Sequence, residues 1–231
     1  VGSGLAGYGL AKEMRHLGSE RPITVITRDG GEFYSKPMLS NAFAEGLDRD
    51  GLAKQSPEQM AEKYRLDVRA RTLVESIDRQ RKVVVLEGGE EIEYGQLVLA
   101  VGADQVTLPF HGDGAGYIHQ INDLDSFARF RDDLPAGGRV AIIGGGLIGC
   151  EFANDLASTG YTVDVIDVAK LPLSRLVPPQ VGELIRDQLA GVGVRWHLES
   201  SVKAVNRHEA TGAMTCILES GEEIRTDVVP S

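Results

Sequence analysis

Two glycine-rich motifs are the residues of this chain whose types and spacing best suit chemistry. Gly2-Ser3-Gly4-Leu5-Ala6-Gly7 opens the sequence, and Gly144-Gly145-Gly146-Leu147-Ile148-Gly149 repeats its spacing in the second half. In such a motif the first glycine makes a tight turn, the second lets a pyrophosphate approach the backbone, and the third lets the next helix pack closely. The helix N-terminus then faces the negative charge. Both motifs predict dinucleotide-binding turns, although either one alone could be an ordinary β–α turn.

An acidic residue follows each motif at the distance that a ribose ligand needs. A dinucleotide site combines a preceding strand, a following helix and an acid about 20 residues on. The second motif has all three, with Asp167 as the acid, whereas the first has a helix and Asp29 but only Val1 of its strand. A carboxylate at Asp167 accepts hydrogen bonds from a free ribose 2′-OH and repels a 2′-phosphate. No arginine follows Asp167 directly to pair with a 2′-phosphate, and the nearest cation is Lys170. The sequence therefore favours NADH over NADPH.

The elements around the motifs predict one plan used twice. Each copy has a glycine-rich turn, an amphipathic helix, a β-branched strand, a hairpin and a hydrophobic return strand. The predicted strands are Arg139–Ile143, Ile23–Thr27 and Thr162–Asp167, and the predicted return strands are Leu97–Val101 and Val228-Val229. The predicted hairpins are Leu86–Ile92 and Leu218–Ile224. The predicted helices are Leu147–Ser158, Pro57–Tyr64 after Ser56, and one that runs from an Asp123 or Asp125 cap to Arg131. The fold class is therefore α/β, with two Rossmann-like (three-layer ββα) domains and antiparallel β-meanders, over residues 1–108 and 109–231.

Composition excludes several classes of protein. The net charge of −10 argues against binding nucleic acid, because that affinity comes mainly from neutralised phosphates. Two cysteines make no disulfide framework and favour a reducing, cytoplasmic setting. No apolar run approaches the roughly 20 residues that span a bilayer. The five histidines lack the spacing of metal ligands, so no metal site is predicted.

Several longer motifs carry a family resemblance. Tyr94–Ala103 resembles the return strand of the FAD-dependent pyridine nucleotide oxidoreductases, which bind two dinucleotides. Tyr34–Ser40, Ile121–Leu124 and Leu147–Leu156 are similar, more narrowly, to the rubredoxin–NAD reductases. The resemblance covers essentially the whole chain. It implies an incomplete FAD-binding domain over 1–108, an NAD-binding domain over 109–231, stacked ring systems between them, and a fragment without the first strand and the C-terminal part.

The resemblance also implies which residues contact the cofactors. For FAD they are Gly2, Ser3, Gly4, Leu5, Thr27, Arg28, Asp29, Lys36, Pro37, Val74, Ala100 and Gly102, and for NADH they are Gly144, Gly146, Leu147, Ile148, Gly149, Glu151 and Asp167. Lys36 would stabilise the negative charge of reduced flavin, and Glu151 would reach the flavin–nicotinamide junction. Without the resemblance, Lys36 is interpreted as a solvated surface residue, Glu151 as a macrodipole partner and Val74 as a strand core residue.

The cysteines bear on where the electrons go. Cys150 and Cys216 are far apart in the sequence, and Asn41 stands where related enzymes place a cysteine after Leu-Ser, so no redox thiol and no catalytic side chain are predicted. The expected function is transfer of electrons from NADH through FAD to rubredoxin or a similar small iron carrier. The alternatives are a ferredoxin or flavorubredoxin reductase and a non-catalytic nucleotide-binding fragment. A basic patch of Arg65, Arg69 and Arg71 is the suggested docking surface for the carrier.

Overall fold

Each half of the chain has helices and parallel strands followed by an antiparallel meander, as the repeated plan predicts. The computed structural model describes residues 1–106 and 108–231; Thr107 lies outside the described residues. The α-helices are α1 (Leu5–His16), α2 (Arg49–Leu52), α3 (Pro57–Tyr64), α4 (Leu124–Asp133), α5 (Leu147–Ser158) and α6 (Pro179–Gly191), with short 3-10 helices at Lys36–Asn41 and Ala115–Tyr117. The strands are β1 (Thr24–Ile26), β2 (Asp67–Arg69), β3 (Val74–Asp78), β4 (Val83–Leu86), β5 (Glu91–Glu93), β6 (Arg139–Ile143), β7 (Thr162–Ile166), β8 (Arg195–His197), β9 (Val202–Arg207), β10 (Met214–Leu218) and β11 (Glu223–Thr226).

Local capping signals set the helix starts. Ser56 accepts from Gln59 N–H, and the Gln59 side chain returns to the Ser56 backbone, which makes a complete capping box at α3. At α4 the cap is Asp123, whose side chain accepts from Ser126 N–H. The predicted bounds of α3, α5 and β6 are confirmed, and α4 extends past the predicted Arg131 to Asp133.

The first compact unit contains Val1–Lys36 and Asp50–Asp104. Its parallel pair places β1 beside β2, and its antiparallel meander has the order β3-β4-β5. Tyr8 and Ala11 of α1 pack with Met60 and Tyr64 of α3 in a buried cluster over the parallel pair. The predicted hairpin at Leu86–Ile92 is confirmed as the turn between β4 and β5.

The second compact unit contains Pro37–Arg49 and Gln105–Ser231. It has a parallel sheet β6-β7-β8 and a meander β11-β10-β9. The predicted return strand Val228-Val229 lies beside β6, because Ala141 N–H donates to Val228 O, but it forms isolated bridges rather than a full strand. Parallel and antiparallel sheets with helices in each unit confirm the α/β class. The division into domains 1–108 and 109–231 stays a prediction, since Pro37–Arg49 clusters with the later residues.

The predicted return strand Leu97–Val101 is wrong as a regular strand. Its backbone pairs with Val1: the amino group of Val1 donates to Val98 O, and Ala100 N–H donates to Val1 O. A ladder needs several consecutive partners, and these two hydrogen bonds to one residue do not make one. A cavity of about 480 Å³ adjoins this segment and is bounded also by β1 and α1.

A buried charge cluster joins β7 and β8 in the second unit. Asp164, with 3% of its side chain exposed, accepts from Arg195 and from His197 Nε2 at 2.9 Å, while His197 Nδ1 lies 3.3 Å from Glu222. Both ring nitrogens therefore face carboxylates, an arrangement that suits the doubly protonated imidazolium. The hydrogen bond to Asp164 raises the pKa of His197, and burial opposes this shift. Burial would raise the pKa of Asp164, but hydrogen bonds from His197 and Arg195 hold it below its usual value.

These shifts give the stability a defined pH dependence. The contribution of His197 is fully present below its ordinary pKa of 6.5 and is lost as pH rises through its higher folded-state pKa. We expect His197→Gln to lower the free energy of unfolding by about 1–3 kcal/mol near pH 6, because it leaves the buried Asp164 carboxylate underpaired. Urea unfolding from pH 5.5 to 9 should show that deficit shrinking as pH rises. His208→Gln, at an exposed turn, is the control; an equal or pH-independent deficit would contradict the prediction.

Candidate functional site

The first glycine-rich turn is built so that two of its glycines cannot carry a side chain. Gly2 has φ +105°, in the left-handed region, and a Cβ there would overlap the Ala100 carbonyl. A Cβ on Gly7 would overlap the carbonyl oxygen of Gly2, so the helix lies directly against the turn. Gly2 N–H donates to Ile26 O at 2.8 Å, which fixes the turn to the end of β1.

The second turn repeats this construction. Gly144 has φ +113°, and a Cβ on Gly149 would overlap the Gly144 carbonyl oxygen. Gly144 N–H donates to Ile166 O at 2.9 Å at the end of β7. Each unit thus brings a helix N-terminus to the carboxyl end of a parallel strand, which is where such folds bind dinucleotides.

The middle glycines provide the space that a pyrophosphate needs. Gly4 and Gly146 are the N-caps of α1 and α5, and no described atom lies within 4 Å of a Cβ built on either. Within the described part of the chain, neither N-cap has a side-chain hydrogen bond and neither first turn contains an acid. Both helix ends therefore offer backbone N–H groups and the positive end of the dipole to an anion, so the residues fit FAD and a pyridine nucleotide.

The predicted ribose acid of the first unit also supports its own turn. Asp29 accepts from Ser3 Oγ at 3.0 Å, Thr27 Oγ1 at 2.7 Å and Gly31 N–H at 3.0 Å. Ser3 and Thr27 are buried, and their hydroxyl oxygens lie 3.0 Å apart. Sequence reasoning missed this supporting role of Asp29.

Asp167 likewise supports the glycine-rich turn of the second unit. Its carboxylate accepts from Gly145 N–H, inside the glycine-rich turn, and from Ala169 N–H at 2.6 Å. The acid therefore joins the end of β7 to the turn that precedes α5. Its predicted contact with ribose stays a prediction.

The remaining predicted FAD residues are spread along the first unit and the start of the 3-10 helix. Arg28 forms an ion pair with Asp104, and Val74, the first residue of β3, is paired with Leu86. Thr72 N–H donates to Thr27 O, which brings the start of β3 to the Asp29 corner. The exposed members of the predicted set are Gly4, Leu5, Arg28, Lys36, Pro37 and Gly102, while Ala100 is half-buried beside Gly2.

The remaining predicted NADH residues lie in the first turns of α5. Leu147 and Ile148 are 53% and 58% exposed, which is unusual for such large apolar side chains. Glu151 is half-buried, and its Oε2 accepts from Ser40 Oγ at 2.6 Å. Asp155, one turn later, is 2% exposed and accepts from Phe43 and Ala44 N–H. Sequence reasoning missed Ser40 and Asp155; their partners are more than a hundred residues away, and the only local signal was a second carboxylate on one helix face.

Both cysteines are packed thiols. Burial raises the pKa of Cys150 to about 11 and that of Cys216 to about 12, so neither thiol has the low pKa of a reactive cysteine. Cys150 Sγ lies 3.4 Å from Gly145 O at the second turn.

The suggested docking arginines do not form an open basic patch. Arg65 is paired with Glu20, and Arg69 with Asp67 and Glu90. Arg71 adopts a left-handed backbone with φ +52°. Because acids neutralise at least two of the three charges, the patch is a poor electrostatic target for an acidic carrier.

Neither a cluster of metal ligands nor a membrane-spanning helix occurs among the described residues. Among residues 1–106 and 108–231, no group of three or more His, Cys, Asp or Glu side chains could hold a metal ion. Over the same residues, no helix has the length and hydropathy required to cross a membrane.

Comparison with known proteins gives consistent matches over the whole chain. The sequence pattern described as pyridine nucleotide-disulphide oxidoreductase matches residues 1–230. A rubredoxin-NAD(+) reductase of Alcanivorax borkumensis is 42% identical over 231 residues, which are 100% of this chain and 60% of that relative. A nitric oxide reductase FlRd-NAD(+) reductase of Aliivibrio fischeri is 36% identical over 90% of this chain and 55% of its own length.

A solved structure agrees with these sequence matches. The covalent putidaredoxin reductase–putidaredoxin complex superposes with a TM-score of 0.90 at 26% identity, over 99% of this chain and 56% of that chain. The chain therefore spans little more than half the length of the proteins it matches.

The close approach at the third glycine of the motif can be tested directly. We expect Gly149→Ala to lower the free energy of unfolding by about 1–3 kcal/mol, because the methyl group must push α5 away from the Gly144 carbonyl. Gly9→Ala is the matched control: Gly9 lies inside α1 with no described atom within 4 Å of its Cβ position. There alanine should be neutral or stabilise by up to about 1 kcal/mol. Equal effects of the two substitutions in denaturant unfolding would contradict this prediction.

Proposed function

This chain belongs to the pyridine nucleotide-disulphide oxidoreductase family, and on that basis we propose that it is the FAD- and NADH-binding part of a reductase that supplies electrons to rubredoxin or a similar small iron carrier. The observation that carries the proposal is the pair of glycine-rich turns, each with an open, uncapped helix N-terminus and a carboxylate from the adjoining strand end. One turn would serve one dinucleotide. A chain with two such turns could bind two dinucleotides, which suits a protein that moves electrons from one dinucleotide to the other.

The first unit is the proposed FAD site. Gly2, Ser3, Gly4 and Leu5 would bind the pyrophosphate at the N-terminus of α1, and Thr27, Arg28 and Asp29 would bound the adenosine ribose. Lys36 and Pro37 would lie against the isoalloxazine, where the ammonium group would stabilise the negative charge that reduction creates. Val74, Ala100 and Gly102 would contribute backbone contacts.

The second unit is the proposed NADH site. Gly144, Gly146, Leu147, Ile148 and Gly149 would hold the pyrophosphate at the N-terminus of α5, and the Asp167 carboxylate would accept from the ribose hydroxyls. A 2′-phosphate at that place would meet a carboxylate rather than an arginine, which favours NADH over NADPH. Glu151 would reach the nicotinamide end. The cofactors, when bound, would supply the redox chemistry, hydride transfer from the nicotinamide to the flavin followed by single-electron transfer onward, while these residues would hold and align them.

The route by which electrons leave follows from the thiols. Cys150 and Cys216 lie on α5 and β10, and both have raised pKa values. Neither is suited to accept electrons as a member of a dithiol pair. An external one-electron acceptor is therefore the proposed destination, in line with the similarity to a rubredoxin-NAD(+) reductase and an FlRd-NAD(+) reductase. The packed free thiols also suit a reducing, cytoplasmic setting.

A second candidate has the same cofactors and another carrier. The flavorubredoxin (FlRd) reductase relative shares 36% identity with this chain, close to the 42% of the rubredoxin reductase. The proposed dinucleotide-binding residues do not distinguish a rubredoxin reductase from a flavorubredoxin reductase, because both enzymes would use them in the same way. The carrier must be distinguished by rate measurements.

Cofactor binding is the first test of the proposal. The purified 231-residue chain supplied with FAD should show a flavin band near about 450 nm that NADH bleaches without oxygen. Gly4→Asp should abolish the band, because it places a carboxylate where the pyrophosphate would bind. Gly116→Asp makes the same charge change at an exposed glycine with no described atom within 4 Å, and it should keep the band. A colourless wild-type chain, or one that NADH does not bleach, would support a non-catalytic nucleotide-binding module instead.

Carrier choice is the second test. With NADH in excess, the FAD-loaded protein should reduce rubredoxin at least about tenfold faster than a ferredoxin or the rubredoxin domain of a flavorubredoxin. That ratio corresponds to about 1.4 kcal/mol of transition-state preference. Stopped-flow or steady-state absorbance of each purified carrier measures it. A reversed ratio would favour the flavorubredoxin reductase alternative while keeping the cofactor assignment.

A further inference from the structure

Helix α5 makes two carboxylate contacts with one distant segment. Glu151 Oε2 accepts from Ser40 Oγ at 2.6 Å, and Asp155 accepts from the backbone N–H groups of Phe43 and Ala44 at 2.8 Å each. Glu151 and Asp155 are four residues apart, so they lie on the same face of the helix. The segment and the helix belong to the same compact unit.

The two contacts differ in character. Asp155 is 2% exposed, both of its oxygens accept amide hydrogen bonds, and burial raises its pKa. Phe43, whose N–H it binds, packs edge-to-face against Phe127, Phe130 and Tyr161. Asp155 is therefore a structural anchor for the segment.

Ser40 binds one oxygen of the Glu151 carboxylate and leaves the other oxygen available to a ligand. Its side chain is buried, and Oγ lies 3.0 Å from Pro37 O and 2.6 Å from Glu151 Oε2. A serine has one hydroxyl proton, and the shorter, charge-assisted bond to Oε2 takes it. Within the described residues, Glu151 Oε1 has no hydrogen-bond partner and the residue is half-buried.

Resting on the proposed function, we propose that Ser40 is a positioning residue for NADH. It orients the Glu151 carboxylate, so that Oε1 accepts a hydrogen bond from the carboxamide N–H of the nicotinamide. An ionised carboxylate only accepts hydrogen bonds, and the carboxamide is the donor that the nicotinamide end of NADH offers. Asp155 keeps the Ser40–Ala44 backbone in place one turn further along α5.

The test compares NADH with ADP-ribose, which lacks the nicotinamide ring. Dissociation constants would be measured by calorimetric titration of the purified chain. We expect Ser40→Ala to weaken the binding of NADH about tenfold, because one charge-assisted hydrogen bond is lost, and to leave the affinity for ADP-ribose unchanged. The double variant Ser40→Ala/Glu151→Gln should bind NADH no more weakly than Glu151→Gln alone, because Ser40 acts through Glu151. Ser40→Thr, which keeps the hydroxyl, should retain most of the affinity.

Asp155→Asn separates positioning from folding. It should lower the unfolding midpoint while preserving the NADH to ADP-ribose ratio, because the Ser40–Glu151 bond remains. The inference is overturned if Ser40→Ala weakens both ligands equally, if its effect adds fully to that of Glu151→Gln, or if it leaves NADH affinity unchanged. A wild-type chain that binds NADH no more tightly than ADP-ribose also overturns it. Failure of the proposed function is recognised separately, as a wild-type chain whose FAD is not reduced by NADH.

Discussion

The rest of the structure depends on a contact that leaves no room for a side chain. Gly7 of α1 and Gly149 of α5 each lie against the carbonyl oxygen of the first glycine of their motif, so each helix begins directly beyond its turn. This approach aims the free N–H groups of the first helical turn at the carboxyl end of a parallel strand. The space for a phosphate, the direction of the helix dipole and the place of the strand-end acid all follow from it.

The strand-end acids show how a binding residue can also be a structural one. Asp29 accepts from two hydroxyl groups and one backbone amide, and Asp167 accepts from two backbone amides, yet each ties its turn to the end of a strand. A turn held in this way keeps its amide groups in place before any ligand arrives, and less entropy is lost when a dinucleotide binds. The repeat is therefore one of geometry as well as of glycine spacing.

Local signals determined how much could be predicted from sequence. The Ser56 capping box, the Asp123 cap and the glycine spacing act within a few residues, and the elements that they start were predicted closely. No regular strand forms over Leu97–Val101, because a strand needs several consecutive partners and two backbone hydrogen bonds with one residue do not make a ladder. The Ser40–Glu151 bond spans 111 residues, and no periodicity or propensity specifies which serine meets which glutamate.

The position of Pro37–Arg49 has a consequence for how the chain folds as it leaves the ribosome. This segment is made early, but Asp155, which binds the amides of Phe43 and Ala44, follows more than a hundred residues later. At about 5–20 residues per second, the delay is roughly 5–20 seconds. For most of that interval the Phe43 ring lacks Phe127 and Phe130, and Tyr161 is made only after Asp155. Synthesis therefore passes through a stage in which Phe43 has not yet met its aromatic partners, and apolar surface exposed in this way favours chaperone binding and misfolding.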